Sequence, residues 1–457
     1  MDTHFTPEQL RDPRLKEASD ILQRCVGCGF CLAVCPTYHS LGDERDSPRG
    51  RIVLIHAMLK GELTPRQVRP HLDRCLSCNA CMTACPSGVD YRRLSDYART
   101  VIETSAMRAP NDESHRQFLL KVLPNPKRFR LVLLAISAMR PFRKLIARSR
   151  AKRLARALEL TPKTPLKLGI YTSPQTVRTT RPRRGRVALL GGCVQKVLTP
   201  EVNDATLRFL NFLGYDVTLA EEEGCCGALS STMGKEAAAK AQAKKNIDVW
   251  TAERDKGGPL SAIIVSTAGC SVAVKDYAHW FAGDPAYAEK AKYVSSLARD
   301  ISEFAAQQKL DAPMGWSDIR VAYHPSCALE HTQRIVDEPR RLLGNAGFTV
   351  VEIPDGPFCC GAAGTYNVFQ AELAKELQEQ KVKAISKIKP DCVATGSVGC
   401  MTQLASGAAP VVHIVELLDW AYGGPCPEKL KHLQGRIRLI APEPEEETAD
   451  DETLEPA

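Results

Sequence analysis

Eight cysteines of this 457-residue chain fall into two copies of one spacing. Cys25, Cys28, Cys31 and Cys35 are followed by Pro36, and Cys75, Cys78, Cys81 and Cys85 by Pro86. Both runs read C-x2-C-x2-C-x3-C-P. Four soft thiolates at such short intervals can wrap around iron, and the proline stops the segment from continuing as a regular helix. Zinc is satisfied by four ligands and has little use for a third closely spaced cysteine in each run. A disulfide framework fits poorly with a chain that shows no secretory signal.

The spacing is the one by which ferredoxin-type modules hold two [4Fe–4S] cubanes, and in such modules the fourth cysteine of each run serves the other cluster. The expected pairing is therefore Cys25, Cys28, Cys31 and Cys85 for one cluster and Cys75, Cys78, Cys81 and Cys35 for the second. A pair of this kind moves single electrons and does not oxidise an organic substrate by itself.

The chain is too long for one such module, and its 44% apolar and 25% charged content are those of an ordinary globular protein. The N-terminus has no apolar core with a cleavage site, and the longest apolar stretch, Leu131 to Met139, is far short of the about 20 residues a bilayer crossing needs. The expected location is the cytosol, with attachment to a membrane face through a partner still allowed. Net charge is +8 and uneven. Lys127 to Lys163 carries twelve Lys or Arg against the single acid Glu159, and reads as two helices broken near Pro141, each with an apolar and a basic side. A solvated connector, a partner contact and a contact with anionic headgroups are all compatible with it. No zinc finger, recognition helix or aromatic platform accompanies the charge, so nucleic acid is not an expected partner. The last seventeen residues carry eight acids and nothing that packs, and read as disordered.

A duplication organises the second half of the chain. Cys193 is followed by thirty-one residues and then Cys225, Cys226 and Gly227; Cys327 is followed by thirty-one residues and then Cys359, Cys360 and Gly361. STAGC ends at Cys270 and TGSVGC at Cys400. Strand-like runs (RVALL, SAIIV, IRVAY, DCVAT) lead into each cysteine loop and alternate with helical stretches, which argues for tandem α/β units with parallel sheets. Cysteines after strands collect at one sheet rim. Cys193, Cys225, Cys226 and Cys270 should form one constellation, and Cys327, Cys359, Cys360 and Cys400 another. Each could bind a cluster, run dithiol chemistry or be a set of buried thiols. Gly227 and Gly361 would let the backbone turn tightly behind the paired cysteines. Cys392 and Cys426 have no counterparts and read as structural. His324, matched by Leu190 in the first half, reads as a packed or capping histidine.

The expected organisation is thus a multidomain α+β and α/β chain. A helical two-cluster module spans 1–110, a basic helical connector 111–183, two cysteine-rich α/β domains 184–315 and 316–440, and an acidic tail 441–457. Taken together, RCVGCGFCLAVCPTYHSLGDERDSPRGRI, RCLSCNACMTACPSGVDY, GCVQ, EEGCCGALS, HPSC and PFCCGAAG resemble the iron–sulfur subunit of bacterial glycolate oxidase. The iron–sulfur subunits of glycerol-3-phosphate dehydrogenase and heterodisulfide reductase are more distant relatives. In the latter the cysteine-rich motif ends in C-x2-C, where this chain has Thr267 to Cys270 and Ser397 to Cys400. Each repeat lacks one thiolate for five-cysteine clusters, so disulfide reduction of a thiol cofactor is not expected.

The resemblance implies electron transfer in a complex that oxidises glycolate to glyoxylate. FAD and the catalytic residues would belong to a partner flavoprotein, and electrons would pass on to a quinone or another carrier. The chain has no dinucleotide fingerprint of its own. A subunit of a glycerol 3-phosphate or lactate dehydrogenase, or a non-catalytic docking subunit, is the alternative. Arg49 and Arg51, in SPRGR, are either a positive contact near the first cluster or partner surface, or part of a turn into the helix that follows.

Overall fold

The computed structural model describes residues 5–105, 108–148, 151–162, 168–171, 173–310, 313, 315–354 and 359–439. The acidic tail lies outside the described residues. The N-terminal part is helical. Helices Pro13–Gln23, Pro48–Leu59, Pro65–Asp73 and Tyr91–Ser105 surround the two cysteine runs. Three of these helices start with proline at the first turn, where its missing N–H costs nothing. Their apolar stripes meet in one core of Leu22, Ile52, Ile55, Val68, Leu72, Leu94 and Ile102.

The second half holds the strands. They are β1 (Gln175–Val177), β2 (Gly185–Leu190), β3 (Tyr215–Leu219), β4 (Ala262–Val265), β5 (Ala298–Asp300), β6 (Gly315–Ser317), β7 (Arg320–Tyr323), β8 (Thr349–Glu352), β9 (Cys392–Thr395), β10 (Val411–His413) and β11 (Ile437–Leu439). One sheet has the order β1-β3-β2-β4-β5 and another the order β10-β9-β7-β8. Read from the opposite edge, the second sheet becomes β8-β7-β9-β10 and superposes in order on β3-β2-β4-β5. All pairs within these two quartets are parallel. The continuous apolar runs of β2, β4 and β9 are buried along their whole length, or nearly so, as parallel strands covered on both faces require. The duplication seen in cysteine spacing is therefore a duplication of topology.

Two expectations need correction. The first α/β unit begins before residue 184, because β1 pairs antiparallel with β3 and closes the edge of the sheet. The connector is more broken than two helices: Pro126–Ala138 ends before a single 3-10 turn at Arg140–Phe142, and Arg143–Arg148 and Lys152–Leu160 are separate helices. Pro141 cannot donate to the preceding turn, which accounts for the first break. The connector is anchored at both ends. Phe129 and Leu133 pack with Val197 of the first unit, and buried Arg156 donates to Gln378 (2.9 Å) and Gln403 (3.2 Å) of the second.

The two units share one hydrophobic core, in which helix Pro200–Phe212 meets helix Ile414–Ala421. Their cysteine-bearing loops also touch: the Ala268 N–H donates to Gly396 O (3.1 Å) and Ser271 to Gln333 (2.9 Å). The helical module bridges both. Arg92 and Arg93 pair with Asp276 of the first unit, while Asn79 donates to Thr332 and Thr83 bonds His331 of the second, both at 3.0 Å.

Candidate metal centres and family

The two cysteine runs are built on one backbone turn. Gly27 and Gly29 adopt left-handed φ values of +73° and +85°, and the equivalent residues of the second run, Ser77 and Asn79, adopt +51° and +61°. The conformation is costly for a residue with a Cβ and least so for glycine and asparagine. It brings the three closely spaced sulfurs of each run to one side. The fourth cysteine then departs: Cys35 caps helix Pro36–Leu41, whose Pro36 occupies the first turn.

Two cavities result. One is lined by Cys25, Cys28, Cys31 and Cys85, the other by Cys35, Cys75 and Cys78, and Cys81 lies on the wall of both. In each cavity the closely spaced sulfurs of one run meet the fourth sulfur of the other. The donor set, soft thiolates around a small, partly open space, fits cubane clusters. The surroundings differ. Cys28 is exposed between Val26 (71% exposed) and Phe30 (64%), whereas Cys78 packs with Cys327 and Cys359 around Leu76 and Tyr366.

Arg51 is not a surface contact, which corrects the expectation that it stands near a partner. It is fully buried, donates to His71 O (2.8 Å) and Thr37 (3.0 Å), pairs with buried Asp46, and reaches 4.0 Å from Cys35 Sγ. Burial works against a thiolate at Cys75, but the positive charges of Arg51 and Arg99 outweigh it, and the Cys75 thiol falls below its ordinary pKa. Ser77 N–H and Tyr91 OH also donate to that sulfur. Arg49 is half-buried; it pairs with Glu44 and donates to Gly27 O (2.9 Å), bracing the first cysteine turn.

The repeat cysteines assemble into two chains of touching thiols. In the first, Cys193 donates to Cys225 (3.6 Å), and Cys226 bonds both Cys225 and Cys270. Accepting from Cys193, Cys226 and the Gly227 N–H draws the Cys225 thiol below its ordinary pKa. In the second, Cys327, Cys359, Cys360 and Cys400 follow in the same order, with Cys360 and Cys400 sulfurs 3.2 Å apart. Gly227 and Gly361 both have φ +86°, and a Cβ there would come within 2.8 Å of Ala239 O or 2.6 Å of Ala374 O. Cys392 is buried in β9, where burial pushes it up to about 12, and Cys426 donates to Pro427 O, so neither joins a set.

His324 is buried beside the second set and burial pushes it down to about 3, so its ring is neutral. The sequence reads His324 as a packed or capping histidine; it is packed but caps nothing, and the one signal of a different role was the mismatch with Leu190 between otherwise parallel repeats.

Comparison with known proteins agrees with this architecture. Residues 21–89 match the 4Fe-4S dicluster domain, and residues 187–275 and 321–405 match the cysteine-rich domain. A crystal structure of a hypothetical protein from Helicobacter pylori shares the fold (TM-score 0.52, 10% identity, 94% of this chain and 76% of that one). The glycolate oxidase iron-sulfur subunit of Escherichia coli is 38% identical over 92% of this chain and 99% of its own length. The probable glycolate oxidase iron-sulfur subunit of Bacillus subtilis is 30% identical over 88% and 94%. The paired cysteine runs, the duplicated α/β units and this full-length similarity place the chain in the family of glycolate oxidase iron–sulfur subunits.

Proposed function

We propose that this chain carries electrons within a complex that oxidises glycolate, or a close 2-hydroxy acid, to the 2-oxo acid. One [4Fe–4S] cluster would be held by Cys25, Cys28, Cys31 and Cys85 and a second by Cys75, Cys78, Cys81 and Cys35. The observation that carries the reading is the crosswise lining of the two cavities. Cubanes bound there would supply one-electron storage. The chain's own residues hold the thiolates and set positive charge beside the inner cavity through Arg51 and Arg99. Hydride removal from the substrate belongs, on this reading, to a partner flavoprotein bearing FAD. The electrons leave for a quinone or another carrier.

Contact with a membrane face is the second element of the proposal. No helix of the described residues is long and apolar enough to cross a bilayer. The connector nevertheless exposes Leu131 (68%), Phe142 (61%) and Leu145 (71%) among Arg128, Arg130, Arg143 and Lys144. Apolar side chains ringed by cations suit an anionic lipid surface.

The test is paired substitution in the complex purified anaerobically. Cys85→Ser should remove the cluster of the first run and leave the second, and Cys35→Ser the reverse, each halving the about eight irons of the module. Both should stop glycolate-dependent reduction of an external acceptor while flavin bleaching by glycolate persists. Loss of the second-run signal on Cys85→Ser would overturn the pairing. Absence of any reducible centre in the unaltered chain would overturn the electron-carrying reading itself.

A further inference from the structure

The two thiol sets are alike in order and in contacts, but one residue beside them differs. Where β2 ends in Leu190, β7 is followed by His324. The His324 side chain is wholly enclosed, and neither Nδ1 nor Nε2 has a hydrogen-bond partner. A neutral imidazole carries one N–H and one lone pair. Enclosing both without partners costs on the order of 1–3 kcal/mol each, a penalty that nothing in the protein part of the site offsets.

The missing partner is indicated by what the ring faces. A nitrogen of His324 and the sulfurs of Cys360 and Cys400 all lie within 4.8 Å of one another, and the three residues are buried. The two sulfurs are 3.2 Å apart. A single tetrahedral ion with bonds of about 2.3 Å to sulfur and ~2.0–2.1 Å to nitrogen spaces its donors by roughly 3.3–3.8 Å. A cubane attaches its thiolates to separate irons and spreads them further apart, as the cavities of the helical module do. Cys359, bonded to Cys360, lies outside this close set and would have to shift toward it to supply a fourth donor.

We propose that the second cysteine-rich unit binds a single divalent ion, zinc by its preference for sulfur and imidazole, through His324, Cys360 and Cys400 with Cys359 completing the tetrahedron. The first unit offers sulfur alone. The duplicated units have therefore diverged in chemistry: the second carries a closed, redox-inert centre that ties β7, the paired-cysteine loop and helix Val398–Leu404 together. This stands apart from the electron-carrying reading, since it concerns neither cubane.

The full-length chain, purified anaerobically with its clusters, is the material for the test. Metal analysis should find about one zinc per chain beside the iron, and X-ray absorption at the zinc edge should show a mixed sulfur and nitrogen shell. His324→Ala and Cys400→Ser should lose at least four-fifths of the zinc while the iron content holds. His324→Cys, which keeps four donors and the fold, should retain zinc with an all-sulfur shell. An unaltered chain without zinc, or with zinc in an all-sulfur shell, would overturn the proposal, as would full zinc in His324→Ala. Full iron in an unaltered chain that lacks zinc would separate failure of this proposal from failure of the electron-carrying reading.

Discussion

Arg51 concentrates the electrostatics of the inner cluster site in one side chain. A guanidinium enclosed beside Cys35 and Cys75 lies in a medium where charges are poorly screened. With an effective dielectric of ~20, unit charges ~6–8 Å apart interact by about 2–3 kcal/mol, or on the order of 100 mV for one electron. Removing the positive charge makes the added electron less welcome. Arg51→Met should therefore lower the potential of the second-run cluster by about that amount, while Arg51→Lys should keep most of it; redox titration followed by EPR reads both. Asp46 keeps Arg74 (2.9 Å) and His71 (3.1 Å) as partners after the substitution, so the stability loss should stay below the about 3–5 kcal/mol of a wholly abandoned buried charge. An unchanged potential in Arg51→Met would show that the guanidinium serves packing alone. The sequence left SPRGR open between a positive contact near the first cluster, partner surface and a turn into the helix that follows. The burial of Arg51 follows from Asp46, which lies five residues away and pairs only once the loop folds back, a contact no local pattern announces.

Among elements, the cysteine turns and the parallel strands were legible because each depends on local signals: fixed spacing, and continuous apolar runs bounded by glycine. The edge strand β1 was not, since QTV lies in a polar, arginine-rich stretch and is a strand only because β3 needs an edge partner. The connector shows the same limit. Its apolar and basic alternation was visible, but which apolar residues face the core was set by docking. Phe129 and Leu133 turn inward, leaving Leu131, Leu134, Phe142 and Leu145 outside. If this outer face meets lipid, burying a leucine or phenylalanine there contributes about 1.5–3 kcal/mol and each nearby cation ~1 kcal/mol. Replacing both Phe142 and Leu145 with glutamate should weaken binding to phosphatidylglycerol-containing vesicles more than tenfold in a flotation assay. Salt should release the unaltered chain only partly, because the apolar share of the binding is not screened. Equal flotation of the two forms would leave the face without a lipid role.

At the scale of the whole molecule, the two cluster cavities are not interchangeable. The second-run cavity is closed over by the second α/β unit, whose Cys327 and Cys359 pack on Cys78 and whose Thr332, His331 and Arg334 bond to the turn around it. The first-run cavity faces out, with exposed Val26 and Phe30 beside exposed Cys28. Exposed apolar side chains grouped at a redox centre mark the surface where a partner docks. Electrons should therefore cross between subunits at the first-run cluster, with the second-run cluster as the inner station. Val26→Asp and Phe30→Ser combined should slow glycolate-driven reduction of this chain by the proposed flavoprotein partner at least tenfold at limiting concentration, with EPR spectra and iron content unchanged. The deficit should shrink as the concentration of either subunit is raised, since docking is what has been weakened. Unaltered kinetics at every concentration would shift the electron entry to the inner cavity and require the second unit to move aside.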